Sequence, residues 1–122
     1  MKAAGTAGLV LAAGLACGSG PQTGHFSGIV TFTNVTVNEI QVERVQGFAH
    51  EPPCGRLMPG GLAQAEMAPM PFPTEIRLRW HPAGQPDKLQ LTSLNLSNLR
   101  PGPGQALELV YADEGWRAEL GD

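Results

Sequence analysis

Thr74-Glu75-Ile76-Arg77-Leu78-Arg79-Trp80-His81 is the stretch that decides the fold. Ile76, Leu78 and Trp80 fall on one parity and Glu75, Arg77, Arg79 and His81 on the other, an alternation that belongs to a strand with one buried and one wet face. Trp80 is thereby expected in the core. Arg77, Arg79 and His81 are expected on a solvated face, paired across the ladder with glutamates.

Toward the N-terminus, Ala68-Pro69-Met70-Pro71-Phe72-Pro73 carries a proline at every second position. Proline removes backbone donors, so this segment is expected to cross between sheets rather than sit inside a ladder. Leu62 to Met67 is weakly patterned and reads as a short edge strand. Phe26 to Asn34 alternates and is rich in β-branched residues, which makes it the first strand. Val37 to Val45 is the second, with Ile40 and Val42 on one face and Glu39, Gln41 and Glu43 on the other. Arg44 breaks that parity, and a β-bulge there would return Val45 and Phe48 to the core side.

Toward the C-terminus, Pro82 to Asp87 is a turn. Leu89 and Leu91 then start a strand whose parity changes at Leu94 and Leu96, which predicts a bulge or break at Thr92-Ser93. Arg100-Pro101-Gly102-Pro103-Gly104 is the next turn. Leu107, Leu109 and Tyr111 return as Trp116, Ala118 and Leu120 across a four-residue connection, 112–115, and form a hairpin. No segment has helical spacing. About seven strands at this size predict an all-β, antiparallel β-sandwich over 26–122, with immunoglobulin-like topology favoured.

Composition agrees. The 16 glycines and 11 prolines accompany 42% hydrophobic residues in periodic positions, which suits turn-rich β structure better than disorder. The formal charge of −3 becomes −4 once Lys2 is set aside with the leader, and both signs are scattered. No basic patch points to nucleic acid, and no acidic run forms a tail.

Residues 1–16 have one cation, Lys2, followed by an uncharged run too short to cross a bilayer as a helix, and read as a signal peptide. Leu15-Ala16-Cys17 resembles the end of a bacterial lipoprotein signal, in which the cysteine is lipidated and becomes the first mature residue. Gly14 stands where that family usually has an aliphatic residue, and Gly14-Leu15-Ala16 also fits ordinary signal peptidase. The resemblance implies export, lipidation at Cys17, a membrane anchor and a place in the cell envelope, in the periplasm or at the outer membrane. Residues 17–25 then form a lipidated cysteine and a flexible Gly-Ser tether.

The connection Gly47 to Gly61 is where chemistry concentrates. His50, Cys54 and Met58 have the spacing H-x-x-x-C-x-x-x-M, the ligand types of soft copper sites, with Met67, Met70 and His81 as further candidates. They resemble blue-copper proteins in ligand type only, because the ligand order is reversed and the loop is central. A periplasmic copper or redox protein is thus the alternative to a plain binding module. Against it, Pro52-Pro53-Cys54-Gly55 is a rigid turn and Met58 a gap-filler. His50 and Cys54 as a nucleophilic pair lack a third orienting group and oxyanion donors, so no catalytic residue is assigned and no enzyme is expected. If ordinary signal peptidase acts, Cys17 survives and pairing with Cys54 becomes the rival fate of both thiols.

Asn34-Val35-Thr36 and Asn95-Leu96-Ser97 match a glycosylation triplet by chance in a bacterial product, and Asn34 is expected to serve the turn after the first strand. Phe48, His50, Arg56 and Met58 offer an aromatic, basic and thioether surface of the composition that protein interfaces favour, on a proline-restricted loop. They are the candidate partner-binding residues, and no cofactor is expected. The whole layout resembles small exported bacterial lipoproteins without assigned activity. Some families of that layout bind partner proteins, among them immunity proteins that neutralise toxins. A non-enzymatic binding or structural module at the envelope is the function expected.

Overall fold

The computed structural model describes residues 25–53 and 55–121. Over these the chain runs β1 (His25–Phe26), β2 (Ile29–Asn34), β3 (Ile40–Gln46), β4 (Arg56–Leu57), β5 (Leu62–Glu66), β6 (Met70–Pro71), β7 (Glu75–Pro82), β8 (Gln90–Asn95), β9 (Ala106–Ala112) and β10 (Gly115–Gly121). A 3-10 turn at Pro86–Lys88 separates β7 from β8, and no α-helix occurs among the described residues. The expected signal peptide over 1–16, the expected lipidation site Cys17 and Cys54 lie outside the described residues. His25, assigned by sequence to the tether, is the first residue of β1.

Two four-stranded sheets pack together, in the orders β10-β9-β2-β5 and β4-β3-β7-β8, and β1 pairs with β6 in a short ribbon. The fold is the all-β sandwich that the alternation predicts. The expected antiparallel pairing holds everywhere except between β2 and β9, which run parallel from Val30↔Leu107 to Asn34↔Tyr111. Parallel neighbours need a long crossover, and here the whole second sheet is threaded between the two strands. The immunoglobulin-like order is not established by these sheets.

The first apolar run is divided in two. Gly28 takes φ 85, and a Cβ there would collide with the Met67 carbonyl oxygen, so the chain bends at Ser27-Gly28 and β2 starts afresh. Phe26 stays fully buried and meets Phe72 edge-on at 5.3 Å between ring centroids. The proline-rich segment passes from β5 of the first sheet to β7 of the second, pausing only for the β1–β6 pair.

Between β3 and β7 the register shifts between Val42 and Arg44, so Glu43 is the extra residue of a bulge, and Val42 and Val45 both reach the core. No such irregularity occurs in β8, which pairs with β7 without a break from Gln90 to Asn95. The predicted break at Thr92-Ser93 is therefore corrected. Thr92 takes an inward position because its hydroxyl accepts the indole N–H of Trp80 at 3.0 Å, and the cost is that Leu91 stands 68% exposed. Trp80 is half-buried against the core and bridges the sheets, with ring centroids 4.9 Å from Tyr111 and 6.3 Å from Trp116. The C-terminal hairpin turns through Asp113-Glu114 alone, since Ala112 already pairs with Gly115.

Candidate functional site

At one end of the sandwich, the segment between β2 and β3 meets the turn between β4 and β5. Asn34, fully buried, ties them together. Its Nδ2 donates to the Asn38 carbonyl at 2.7 Å and to the Leu57 carbonyl at 3.2 Å, while its Oδ1 accepts the Thr36 N–H at 2.9 Å. The Thr36 hydroxyl sits 2.7 Å from the same Oδ1 and accepts the Asn38 N–H at 3.1 Å. Across the gap, Asn34 N–H donates to Gly61 O at 3.0 Å, and Gly61 N–H to Met58 O at 2.8 Å. The Asn34-Val35-Thr36 triplet is thus an Asx turn, and Asn95-Leu96-Ser97 repeats the motif, with Asn95 Oδ1 accepting the Ser97 N–H at 2.8 Å.

That network holds a set of apolar side chains in water. Val35, Val37 and Met58, which lie on these two connections, are 57%, 86% and 54% exposed, and Leu62, the first residue of β5, is 66% exposed. Sequence reasoning found only Met58 among them. Val37 lies within the second strand that the sequence predicts, but β3 begins at Ile40, and the hydrogen-bonded turn of 34–38 leaves both valines exposed.

The candidate interface residues are split by the structure. Phe48 is half-buried and packs against the core, His50 is exposed, and Arg56 and Met58 are exposed at the β4 end. Gly47 makes the sharp departure from β3, at φ 118. Arg44 grips Glu51 with two hydrogen bonds, Nη2 to Oε1 at 3.0 Å and Nε to Oε2 at 3.3 Å. This contact holds the Glu51 carboxyl below its ordinary range. Arg56 Nε lies 2.8 Å from Glu39 Oε2, a charge contact without hydrogen-bond alignment, since that oxygen is buried with no aligned donor.

On the outer face of β3 and β7, the bulged Glu43 reaches both Arg79 Nε and His81 Nε2 at 3.1 Å. Arg79 is exposed as expected. His81 is not, and its expected solvation is corrected: it is buried, with Nδ1 2.7 Å from the Pro82 carbonyl. The extra residue of the bulge brings a carboxylate over a position that simple alternation would leave wet. His81 is therefore committed to Glu43 and Pro82 rather than placed as a further ligand beside His50 and Met58. Among the described residues no three His, Cys, Asp or Glu side chains are grouped as a metal would need, and Cys54 is not among those residues.

Two hollows border this region. A groove of about 220 Å³ runs between β4 and β5 over Phe32, Val42 and Leu57, with Pro53 at its rim. A wider and more polar one of about 450 Å³ lies among Asn38, Glu39, Pro82, Lys88 and Tyr111. No helix among the described residues is long and apolar enough to cross a membrane. Comparison with protein-family models, curated protein sequences and solved structures finds no match for this chain.

Proposed function

We propose that the chain is a non-enzymatic binding module of the bacterial cell envelope, held to a membrane through lipid on Cys17 and presenting its sandwich to a protein partner. The observation that carries this reading is the exposed apolar end formed by Val35, Val37, Met58 and Leu62. Exposed apolar side chains that lie close together and are rimmed by polar residues are the kind of surface that marks a protein interaction site. Arg56 borders them, which gives the mixed apolar and basic character of an interface centre. Phe48 anchors the 47–61 connection from below, and His50 lies on its outer side.

The position of the chain entry supports the same reading. β1 and β6 lie at the start of β2, and the apolar end lies at its finish, about 20 Å away along six residues of strand. His25, the first described residue, stands at the opposite end of β2 from Val35 and Val37. Two measurements test the proposal. Intact mass of membrane-extracted protein should show a lipid-modified N-terminal Cys17, and Cys17→Ser should release the protein; a wild type that is wholly soluble and lacks the lipid mass refutes the anchor. Cross-linking in envelope extract should lose its partner in a Val37→Ser, Met58→Ser double variant of unchanged melting, and equal capture by both proteins refutes the binding surface.

A further inference from the structure

β5 is a sheet edge with an unusual interior. Among the described residues its only neighbour is β2. The bonds Asn34 N–H to Gly61 O and Met67 N–H to Gly28 O fix which residues face β2: positions 61, 63, 65 and 67. By the same alternation Leu62, Gln64 and Glu66 turn both N–H and C=O away from β2, toward open solvent. Natural edges are blunted by charged side chains, proline, a bulge or an inward charge, and of these 62–66 carries only the outward Glu66 at its end.

The inward-facing positions of β5 are Ala63 and Ala65, opposite Phe32 and Val30. Alanine at both leaves unfilled the groove of about 220 Å³ over Phe32, Val42 and Leu57. A free row of backbone donors and acceptors therefore runs beside an apolar slot of side-chain size.

We propose that β5 accepts an extended peptide segment of a partner protein as an added strand, with a bulky aliphatic side chain of that segment seated in the groove. This deepens the binding-module reading and rests on it. Strand addition takes affinity from main-chain bonds and specificity from pockets for alternate side chains, and both elements are present here. The groove is smaller than the roughly 300 to 1,000 Å³ of small-molecule sites, which favours a side chain as occupant. A second copy of this chain fits poorly, since its own β5 would bring alanine to both inward positions and leave the slot empty. Glu66 is the one charged side chain on β5, so a lysine or arginine on the segment opposite it is favoured.

The probe is a capped heptapeptide alternating valine with threonine and carrying lysine at one end, added to the purified full-length protein while amide exchange is followed residue by residue. At ten times its Kd the peptide should slow exchange at Leu62, Gln64 and Glu66 about tenfold. The same peptide with alanine in place of valine should bind at least about tenfold more weakly. Ala63→Leu, which occupies part of the groove from within, should weaken the valine peptide by a similar factor. Gln64→Pro removes an outward donor without touching a β2 bond, and should abolish the protection. No slowing at these three amides under saturating peptide overturns the proposal, as does equal affinity of wild type and Ala63→Leu. If that happens while Val37→Ser, Met58→Ser still loses the cross-linked partner, strand addition is wrong and the binding module stands. If the double variant also keeps its partner, both fall.

Discussion

Replacing Asn34 by alanine should be among the most damaging single changes outside the apolar core. The side chain is fully buried and serves the Asn38 and Leu57 carbonyls through Nδ2 and the Thr36 N–H through Oδ1. Asn38 O keeps the Thr36 hydroxyl at 3.1 Å and the Leu57 carbonyl keeps its ladder pairing with Ile40, so the group left without a partner is the Thr36 N–H, while Leu57 loses one of two bonds. One buried group left unpaired costs about 1 to 3 kcal/mol and the second hydrogen bond lost at Leu57 about 1 kcal/mol more, which puts Asn34→Ala at about 2 to 4 kcal/mol. For a domain of this size that is a fall in Tm of roughly 10 to 25 °C. Urea unfolding with an unchanged m-value measures it. Asn34→Asp sharpens the test, because it keeps the acceptor for Thr36 but sets a carboxylate oxygen against two carbonyls. The folded state then disfavours the ionised form and raises its pKa above the unfolded value of about 3.9. The aspartate variant should recover stability below about pH 4 and lose it as pH rises through the folded value. An Asn34→Ala protein within 1 kcal/mol of wild type, or an aspartate variant with a flat pH profile, would refute the assigned role of the network.

Trp80→Ala should lower stability by about 3 kcal/mol, since it removes the ring that joins the two sheets and orphans the Thr92 hydroxyl, whereas Trp80→Phe should lose less; melting within a few degrees of wild type counts against it. Gly47→Ala places a Cβ 2.5 Å from the Glu75 carbonyl oxygen at φ 118 and should cost about 1 to 3 kcal/mol, read from thermal unfolding, with no loss meaning that the β3 exit is soft. Arg44 depresses the Glu51 pKa from its ordinary 4.5, so the pair's contribution is present above that value and lost as pH falls through the folded one. Both partners are well exposed, which limits this to less than about 0.5 kcal/mol. Carbon-detected titration should show the Glu51 midpoint rising in Arg44→Ala, and an unmoved midpoint contradicts the pairing.

What could be read from the sequence was whatever depends on neighbours along the chain. The 74–81 alternation, the bulge beside Arg44, the edge position of 62–66 and the sheet-crossing prolines all follow from local parity and from backbone donors that proline lacks. Leu91 and His81 were misplaced because parity alone does not reveal a partner on another strand: Thr92 turns inward to serve an indole, and His81 is covered by a carboxylate that only the bulge delivers. The candidate site was legible in part. Met58 and Arg56 stand exposed at the end of the sandwich, but Val35, Val37 and Leu62 join Met58 only because Asn34 ties two connections distant in sequence. The groove beside β5 was hidden for the opposite reason, since Ala63 and Ala65 look like weak patterning until the strands opposite them are known.

The parallel pairing of β2 with β9 bears on the order in which this protein is built. One sheet, containing β3, β7 and β8, draws on the middle of the chain and can assemble from antiparallel neighbours once that portion exists. The other has its central pair drawn from the two ends of the chain, so β2 lacks a lasting partner on one side until the final hairpin arrives. Long-range pairing of this kind slows folding and leaves an apolar strand uncovered in the interval. Synthesis halted before Ala106 would leave Val30 and Phe32 bare on a half-built sheet, so the C-terminal hairpin is the step that commits the N-terminal strand to the fold.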